Sequence, residues 1–272
     1  MTPRASDDPP RNPLLRLDAR LVIGHRGAAG EAPENTLESF HLAVAQGADA
    51  LELDVHLSAD GVPVVIHDPD LRRTTDRAGA VAAHTVAELQ RADAGHRFTP
   101  DRGRTFPWRG RGVRIPTLAE VVRALPETPL LIELKTAAVR HALRRVLEEH
   151  DAAHRCVPAS ALPAALDIFR ETPFCCGASA PEIARLYFGT ACGLPRPGAR
   201  YALLSVPLRH RGLPVPTRWF LRAARASGTP VHVWTVDDPA VARALWARGA
   251  AGVVTNVPGV MVAERRAASD ER

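Results

Sequence analysis

Residues 50–68 read Ala-Leu-Glu-Leu-Asp-Val-His-Leu-Ser-Ala-Asp-Gly-Val-Pro-Val-Val-Ile-His-Asp, and the architecture turns on how this stretch is read. Ala50 to Leu57 has the apolar density of a buried strand, yet Glu52 and Asp54 stand two residues apart inside it. A strand sends alternate side chains to opposite faces, so both carboxylates share one face, away from Leu53 and Val55. In a parallel barrel strand that face is the interior. Two carboxylates side by side there repel each other unless a proton or a cation neutralises them. The competing reading is an edge strand whose polar face meets water. Asp60-Gly61, flanked by apolar alternation, turns the chain into a second arm ending at His67, as Asp-Gly hairpins do. That hairpin returns His67 to the neighbourhood of Glu52 and Asp54.

Outward from this stretch, short apolar runs alternate with helical patterns, the rhythm of βα units. Further strands are expected at 21–25, 130–133, 156–160, 174–177, 202–206, 231–236 and 252–255. Helices are expected from Thr36, with Leu37, Phe40, Leu42 and Val44 as the apolar face, and at 139–150, 163–170, 181–188, 217–227 and 239–248. The predicted fold class is α/β, a (β/α)8 TIM-type barrel, and 272 residues suit one such barrel. Counting the hairpin arm separately gives one strand more than eight. Between Pro69 and Pro116 the rhythm fails, which places a small insertion after the His67 strand. The domain reading is a flexible leader over 1–20, one barrel domain over 21–262 with the insertion at about 69–116, and a polar tail over 263–272.

Barrel enzymes carry their chemistry where the strands end. His25 closes the first strand within Gly24-His25-Arg26-Gly27, where the glycines permit a sharp turn and Arg26 offers a planar fork suited to phosphate oxygens. His67 closes the hairpin arm. Two strand-end histidines near a carboxylate cluster read as an acid–base pair. Glu133, in Leu130-Leu131-Ile132-Glu133-Leu134-Lys135, supplies a third acidic ligand, with Lys135 on the same strand face. Of 35 Lys+Arg residues, Lys135 alone is lysine, which marks a position where a compact ammonium is wanted. Glu52, Asp54 and Glu133 form an all-oxygen ligand set, which points to one divalent cation, Mg²⁺ or Ca²⁺ with Mn²⁺ as a third candidate, rather than zinc.

Composition sets the bounds. No apolar run reaches the ~20 residues of a transmembrane helix, and a net charge of +5 favours anionic partners only weakly. The arginines of the insertion (Arg97, Arg102, Arg104, Arg109, Arg111, Arg114), interleaved with Phe98, Phe106 and Trp108, have two readings. One is peripheral contact with anionic headgroups; the other is a solvated loop pinned by its aromatics. The arginines are spread along the chain without a nucleic-acid-binding motif, so no nucleic-acid partner is expected. Cys156, Cys175, Cys176 and Cys192 show no metal or CxxC spacing, which fits free thiols in the cytoplasm. The oligomeric state is left open.

These motifs together resemble the glycerophosphodiester phosphodiesterase family. The resemblance rests on His25-Arg26-Gly27, Pro33-Glu34-Asn35-Thr36, Glu52-Leu53-Asp54-Val55, Asp60-Gly61, His67-Asp68 with Arg73-Thr74-Thr75, Glu133-Leu134-Lys135 and Trp234-Thr235-Val236, in that order. It implies a barrel with an insertion after the His67 strand and a small-molecule glycerophosphodiester substrate cut to sn-glycerol 3-phosphate and an alcohol. By the same likeness Glu52, Asp54 and Glu133 hold the metal, His25 and His67 exchange protons, Arg26 and Lys135 grip phosphate, and Trp234 lines the pocket. The alternatives are a lysophospholipase D-like activity, with a groove from Phe98, Phe106, Trp108 or the 213–220 segment, and an inactive phosphodiester-binding barrel. Asp237-Asp238, Thr255-Asn256 and Ser160-Ala161 depart from the family pattern. They are read as bearing on pocket shape and substrate choice, not on a catalytic histidine.

Overall fold

The computed structural model describes residues 12–171, 173–191 and 200–270. Its strands, in chain order, are β1 (Leu21–His25), β2 (Ala50–Leu57), β3 (Pro63–Val65), β4 (Leu130–Leu134) and β5 (Cys156–Ala159). They are followed by β6 (Leu204–Pro207), β7 (Arg209–His210), β8 (Leu213–Pro214), β9 (Val231–Trp234) and β10 (Gly252–Thr255). The helices are α1 (Leu37–Ala45), α2 (Val86–Leu89), α3 (Leu118–Ala124), α4 (Arg140–Glu149) and α5 (Pro163–Leu166). The last four are α6 (Ala180–Ala191), α7 (Arg218–Ala226), α8 (Pro239–Ala247) and α9 (Pro258–Asp270).

Seven strands run in parallel in the order β5-β4-β2-β1-β10-β9-β6. The ring is completed by residues 176–178. There the Gly177 N–H donates to the Pro158 carbonyl at 2.8 Å, and Ala178 N–H to Leu203 and Ala202 N–H to Cys176 at 2.9 and 2.8 Å. A strand expected at 174–177 is therefore reduced to one bridging residue, Gly177 opposite Leu203. The surplus strand of the sequence count is β3, which pairs antiparallel with β2 outside the ring. The fold is a (β/α)8-type barrel.

Alternation along the strands sorts the two layers. Leu51, Leu53 and Val55 of β2 pack outward against Phe40, Ala43 and Leu118. Leu21, Ile23, Leu131, Val157, Leu203 and Val254 fill the interior below the mouth. Leu14, fully buried among them, plugs the barrel floor. Its carbonyl accepts from Nε2 of the buried His232 at 2.8 Å. The leader expected through Arg20 is thus packed from Asn12 onward, because an apolar floor needs a cover. The polar tail expected from residue 263 is the second half of α9, whose Met261 and Val262 are buried and whose Arg265 pairs with Asp49. In α1 the buried face is Ser39, Phe40 and Ala43, while Val44 points outward at 38% exposure. α3, unread in the sequence, starts from a Thr117–Glu120 capping box.

The insertion has its own small core, in which Leu71, Val81, Leu89, Val113 and Ile115 pack under Val64 and Ile66. Trp108 leans on that core and its backbone lies over Gly95, where a Cβ would sit 2.5 Å from the Trp108 carbonyl oxygen. Arg109 stacks over Phe106 at 3.9 Å. Trp108 anchors the loop.

Candidate active site

Barrel register assembles the site. His25 lies opposite Glu52 across β1 and β2, and Asp54 opposite Glu133 across β2 and β4. One oxygen from each of Glu52, Asp54 and Glu133 lies within 4.8 Å of the others. Glu52 and Asp54 are buried, and Glu133 is partly open to the cleft. The turn after β1 is built for close approach: Arg26 has φ +51° and Gly27 φ +88°. A Cβ on Gly27 would lie 2.4 Å from Ser39 Oγ, so the turn accepts only glycine there. That conformation aims the Arg26 N–H at Glu52 Oε2, 3.1 Å away.

Charges interlock around Asp54. Lys135 Nζ stands 2.8 Å from Asp54 Oδ1 and 3.0 Å from Glu133 Oε2. Arg26 Nε lies 3.0 Å from Asp54 Oδ2, and the Asn35 amide donates to the same oxygen at 2.9 Å. Burial works to raise Asp54, but Lys135 and Arg26 outweigh it and hold the carboxyl below its ordinary range. Among the described residues, Glu52 pairs with no lysine or arginine side chain at that distance. Burial, with the charges of Asp54 and Glu133 beside it, pushes its carboxyl well above the usual range. Glu34 ties the cluster outward, accepting from Arg26 at 2.8 Å and from both terminal nitrogens of Arg73 at 2.7 Å. Arg73 also holds Asp68, whose other oxygen meets His67 Nδ1 at 2.5 Å. Burial opposes ionisation of Asp68, but hydrogen bonds from Arg73 and His67 bring it down to about 2.

The two imidazoles have different partners. His25 Nδ1 is 2.7 Å from Asn256 Oδ1. The Asn256 amide nitrogen donates to Asp237 Oδ2 at 2.7 Å, and the Asn256 N–H to Asp237 Oδ1 at 2.8 Å. A carboxylate accepts only, so it fixes the amide with its oxygen toward His25. His25 therefore carries its proton on Nδ1 and presents a bare Nε2, 4.0 Å from Glu52. Burial, then the Arg26 charge, lowers the His25 pKa and favours that neutral form. His67 instead sets Nδ1 against an ionised carboxylate, and its own carbonyl accepts from the buried His56 at 3.0 Å.

His25, Arg26, Glu52, His67, Glu133, Lys135 and Trp234 all line one cleft of about 500 Å³, with Asp54 1% exposed beneath them. Phe98, Phe106 and Trp108 do not line it; of the proposed groove elements, Leu213 and Val215 do. Asn256 and Asp237, read from sequence as clear of the catalytic histidines, are the residues that orient His25. The error is one of distance, since His25 and Asn256 are 231 positions apart and only the β1–β10 pairing joins them. Glu34 and Arg73 sat in quoted motifs without a role; their signal was charge next to an expected site.

The donor set fits a hard divalent cation. Among the described residues, Glu34, Glu52, Asp54, Asp68 and Glu133 face three permanent cations, Arg26, Arg73 and Lys135, so full ionisation with both imidazoles neutral leaves two negative charges uncompensated. A barrel mouth with paired imidazoles over such a cluster defines a class, the hydrolases of phosphoric diesters.

Comparison with known proteins narrows the class. The family model described as the glycerophosphoryl diester phosphodiesterase family matches residues 25–164 and 179–260. A glycerophosphodiester phosphodiesterase of Caldanaerobacter subterraneus is 31% identical over 256 residues, covering 89% of this chain and 96% of the relative. Two solved structures share the fold. The glycerophosphoryl diester phosphodiesterase domain of a Mycobacterium tuberculosis protein aligns with a TM-score of 0.80 at 26% identity, covering 92% of this chain and 100% of that one. An Oleispira antarctica phosphodiesterase, in complex with its product sn-glycerol-3-phosphate, aligns at 0.73 and 28% identity, covering 91% and 97%. The chain belongs to the glycerophosphoryl diester phosphodiesterase family.

Proposed function

We propose that the protein hydrolyses glycerophosphodiesters to sn-glycerol 3-phosphate and an alcohol, with Glu52, Asp54 and Glu133 holding one divalent cation, Mg²⁺ or Ca²⁺ with Mn²⁺ as third candidate. One observation carries this reading: two imidazoles, one with a neutral amide oxygen and one with a carboxylate at Nδ1, flank a three-carboxylate cluster in a single cleft. The Oleispira enzyme's product names the phosphate-bearing half of the substrate.

The roles follow from the hydrogen bonds. His25, neutral with Nε2 bare, is the base that takes the proton of the attacking glycerol 2-hydroxyl. His67, whose Nδ1 faces the Asp68 carboxylate, is the acid that protonates the departing alkoxide. The new oxygen–phosphorus bond closes a cyclic phosphate, and water opens it with the two histidines in exchanged roles. Arg26, Lys135 and Trp234 line the cleft; in this reading the two cations take the phosphate and the indole borders it. A bound divalent cation supplies positive charge to the phosphate and acidifies the hydroxyl it meets. Holding nucleophile and phosphorus in one molecule gives the advantage of an oriented intramolecular attack. No helix among the described residues is long and apolar enough to cross a membrane. Cys156, Cys175 and Cys176 are free, which supports a cytoplasmic location; Cys192 lies outside the described residues.

The test is single-turnover release of the leaving group, choline from glycerophosphocholine and p-nitrophenolate from the p-nitrophenyl ester of glycerol 3-phosphate. His25→Ala loses about 10²–10⁴-fold on both substrates. His67→Ala loses as much on the choline ester but is largely spared on the nitrophenyl ester, whose leaving group needs no proton. The reverse pattern would exchange the roles, and full activity in either variant would end the acid–base reading. A substrate lacking the 2-hydroxyl that turns over normally would exclude internal attack.

A further inference from the structure

The ring of His67 meets Asp68, but its backbone is held from another element. The β2–β3 ladder ends where Val65 faces Val55, and just past it the Ile66 N–H donates to the Asp54 carbonyl at 3.0 Å. One residue further on, the His67 carbonyl accepts from His56 Nε2 at 3.0 Å. A carbonyl only accepts, so Nε2 carries the proton of this bond. His56 belongs to β2 and is 6% exposed. Alternation puts it on the same strand face as Glu52 and Asp54. Among the described residues it is not one that lines the cleft. Little of the cleft wall encloses the imidazole it serves, since the His67 side chain is 33% exposed. The place of that ring depends on the Asp68 contact at Nδ1 and on the peptide that carries both residues. A peptide left loose at the His67 carbonyl would move ring and carboxylate together.

We propose that His56 is the positioning residue of the acid: it ties the His67 peptide to the strand that carries Glu52 and Asp54, so that the imidazole meets the departing oxygen. The inference rests on the reading of His67 as the acid given above. A residue that acts through His67 matters only where His67 matters. Its loss should fall on a leaving group that needs a proton, and should vanish once His67 is gone. A side chain that only satisfied a buried carbonyl would show neither pattern.

The experiment follows single-turnover release of choline from glycerophosphocholine and of p-nitrophenolate from the p-nitrophenyl ester of glycerol 3-phosphate. The variants are His56→Leu, His56→Asn and His56→Gln, each alone and combined with His67→Ala. In His56→Leu choline release should fall about 10–100-fold, the loss typical when a supporting partner of a histidine is removed, while nitrophenolate release stays within about twofold. His56→Asn, whose amide stops near the place of Nδ1, should lose as much. His56→Gln, whose amide nitrogen reaches the place of Nε2, should recover choline release to within about threefold of the parent. In the His67→Ala background none of the three should lower choline release further. Should His56→Leu not fold, the contrast between His56→Asn and His56→Gln decides. Parental choline release in His56→Leu and His56→Asn, with His67→Ala still sparing the nitrophenyl ester, overturns the inference and leaves the acid reading standing. Equal losses on both esters, or losses that persist without His67, also overturn it. If His67→Ala itself lowers both esters equally, the acid reading and this inference fall together.

Discussion

At the scale of single residues, the chemistry depends on the charge of the partner that each histidine holds at Nδ1. Asp237 holds the Asn256 amide, and the amide holds His25 Nδ1. Asn256→Leu should lower kcat by about 10–100-fold with little change in KM, the loss typical when a histidine's orienting partner is removed. Asp237→Asn should act in the same direction, because a second amide no longer forces Asn256 to turn its oxygen toward the imidazole. If the two positions act through one chain of contacts, the double variant is no worse than the more damaging single one. Fully additive losses would show that they act separately. The carboxylates and histidines were legible in sequence because each is a polar interruption of an apolar strand. Asn256 was not, since Thr255-Asn256 ends an ordinary strand and its partner lies at the other end of the chain.

At the scale of elements, the turn between β1 and α1 joins stability to the site. Thr36 caps α1 by accepting from the Ser39 N–H, while its hydroxyl donates to the Pro33 carbonyl. The Ser39 hydroxyl in turn donates to the carbonyl of Arg26. Thr36→Ala should cost about 1 kcal/mol in urea denaturation and leave the barrel folded. Gly27→Ala forces a left-handed residue into Ser39 and should cost more than about 1 kcal/mol, with activity falling alongside. Equal stability of Gly27→Ala and the parent would mean that the turn is not strained as drawn. Period-2 alternation made β2 and β4 readable down to which face each carboxylate takes. Register was out of reach: Gly177 occupies the eighth stave with one bridge, too short to show a pattern. β3, paired antiparallel with β2, shows a clear pattern yet lies outside the ring. Propensity located these segments, and only closure of the barrel decides which of them belong to it.

At the scale of the whole molecule, the barrel is capped below by its own N-terminal segment and open above at the site. The link at the floor is His232, whose burial lowers its pKa to about 4 from an ordinary 6.5 while Leu14 accepts from Nε2. Its neutral form fits the floor, so this contribution is full above pH 6.5 and is lost as pH falls toward 4. Between pH 7.5 and pH 5 the loss should be about 2 kcal/mol in chemical denaturation. His232→Gln, which keeps a donor for Leu14 but does not titrate, should lack that component; parallel losses in both proteins would contradict it. The sequence showed the amphipathic rhythm that makes such a barrel, but nothing in it said that Leu14 would serve as the plug. At the open end the account rests on one cation held by three acidic side chains. Calorimetric titration of chelator-stripped protein with Mg²⁺, Ca²⁺ and Mn²⁺, with glycerophosphocholine turnover followed on the same samples, tests it directly. The parent should take up one ion per chain with turnover rising in step, and Glu52→Gln should lose both binding and turnover. Full turnover by the stripped protein, or undiminished binding by Glu52→Gln, would contradict the account.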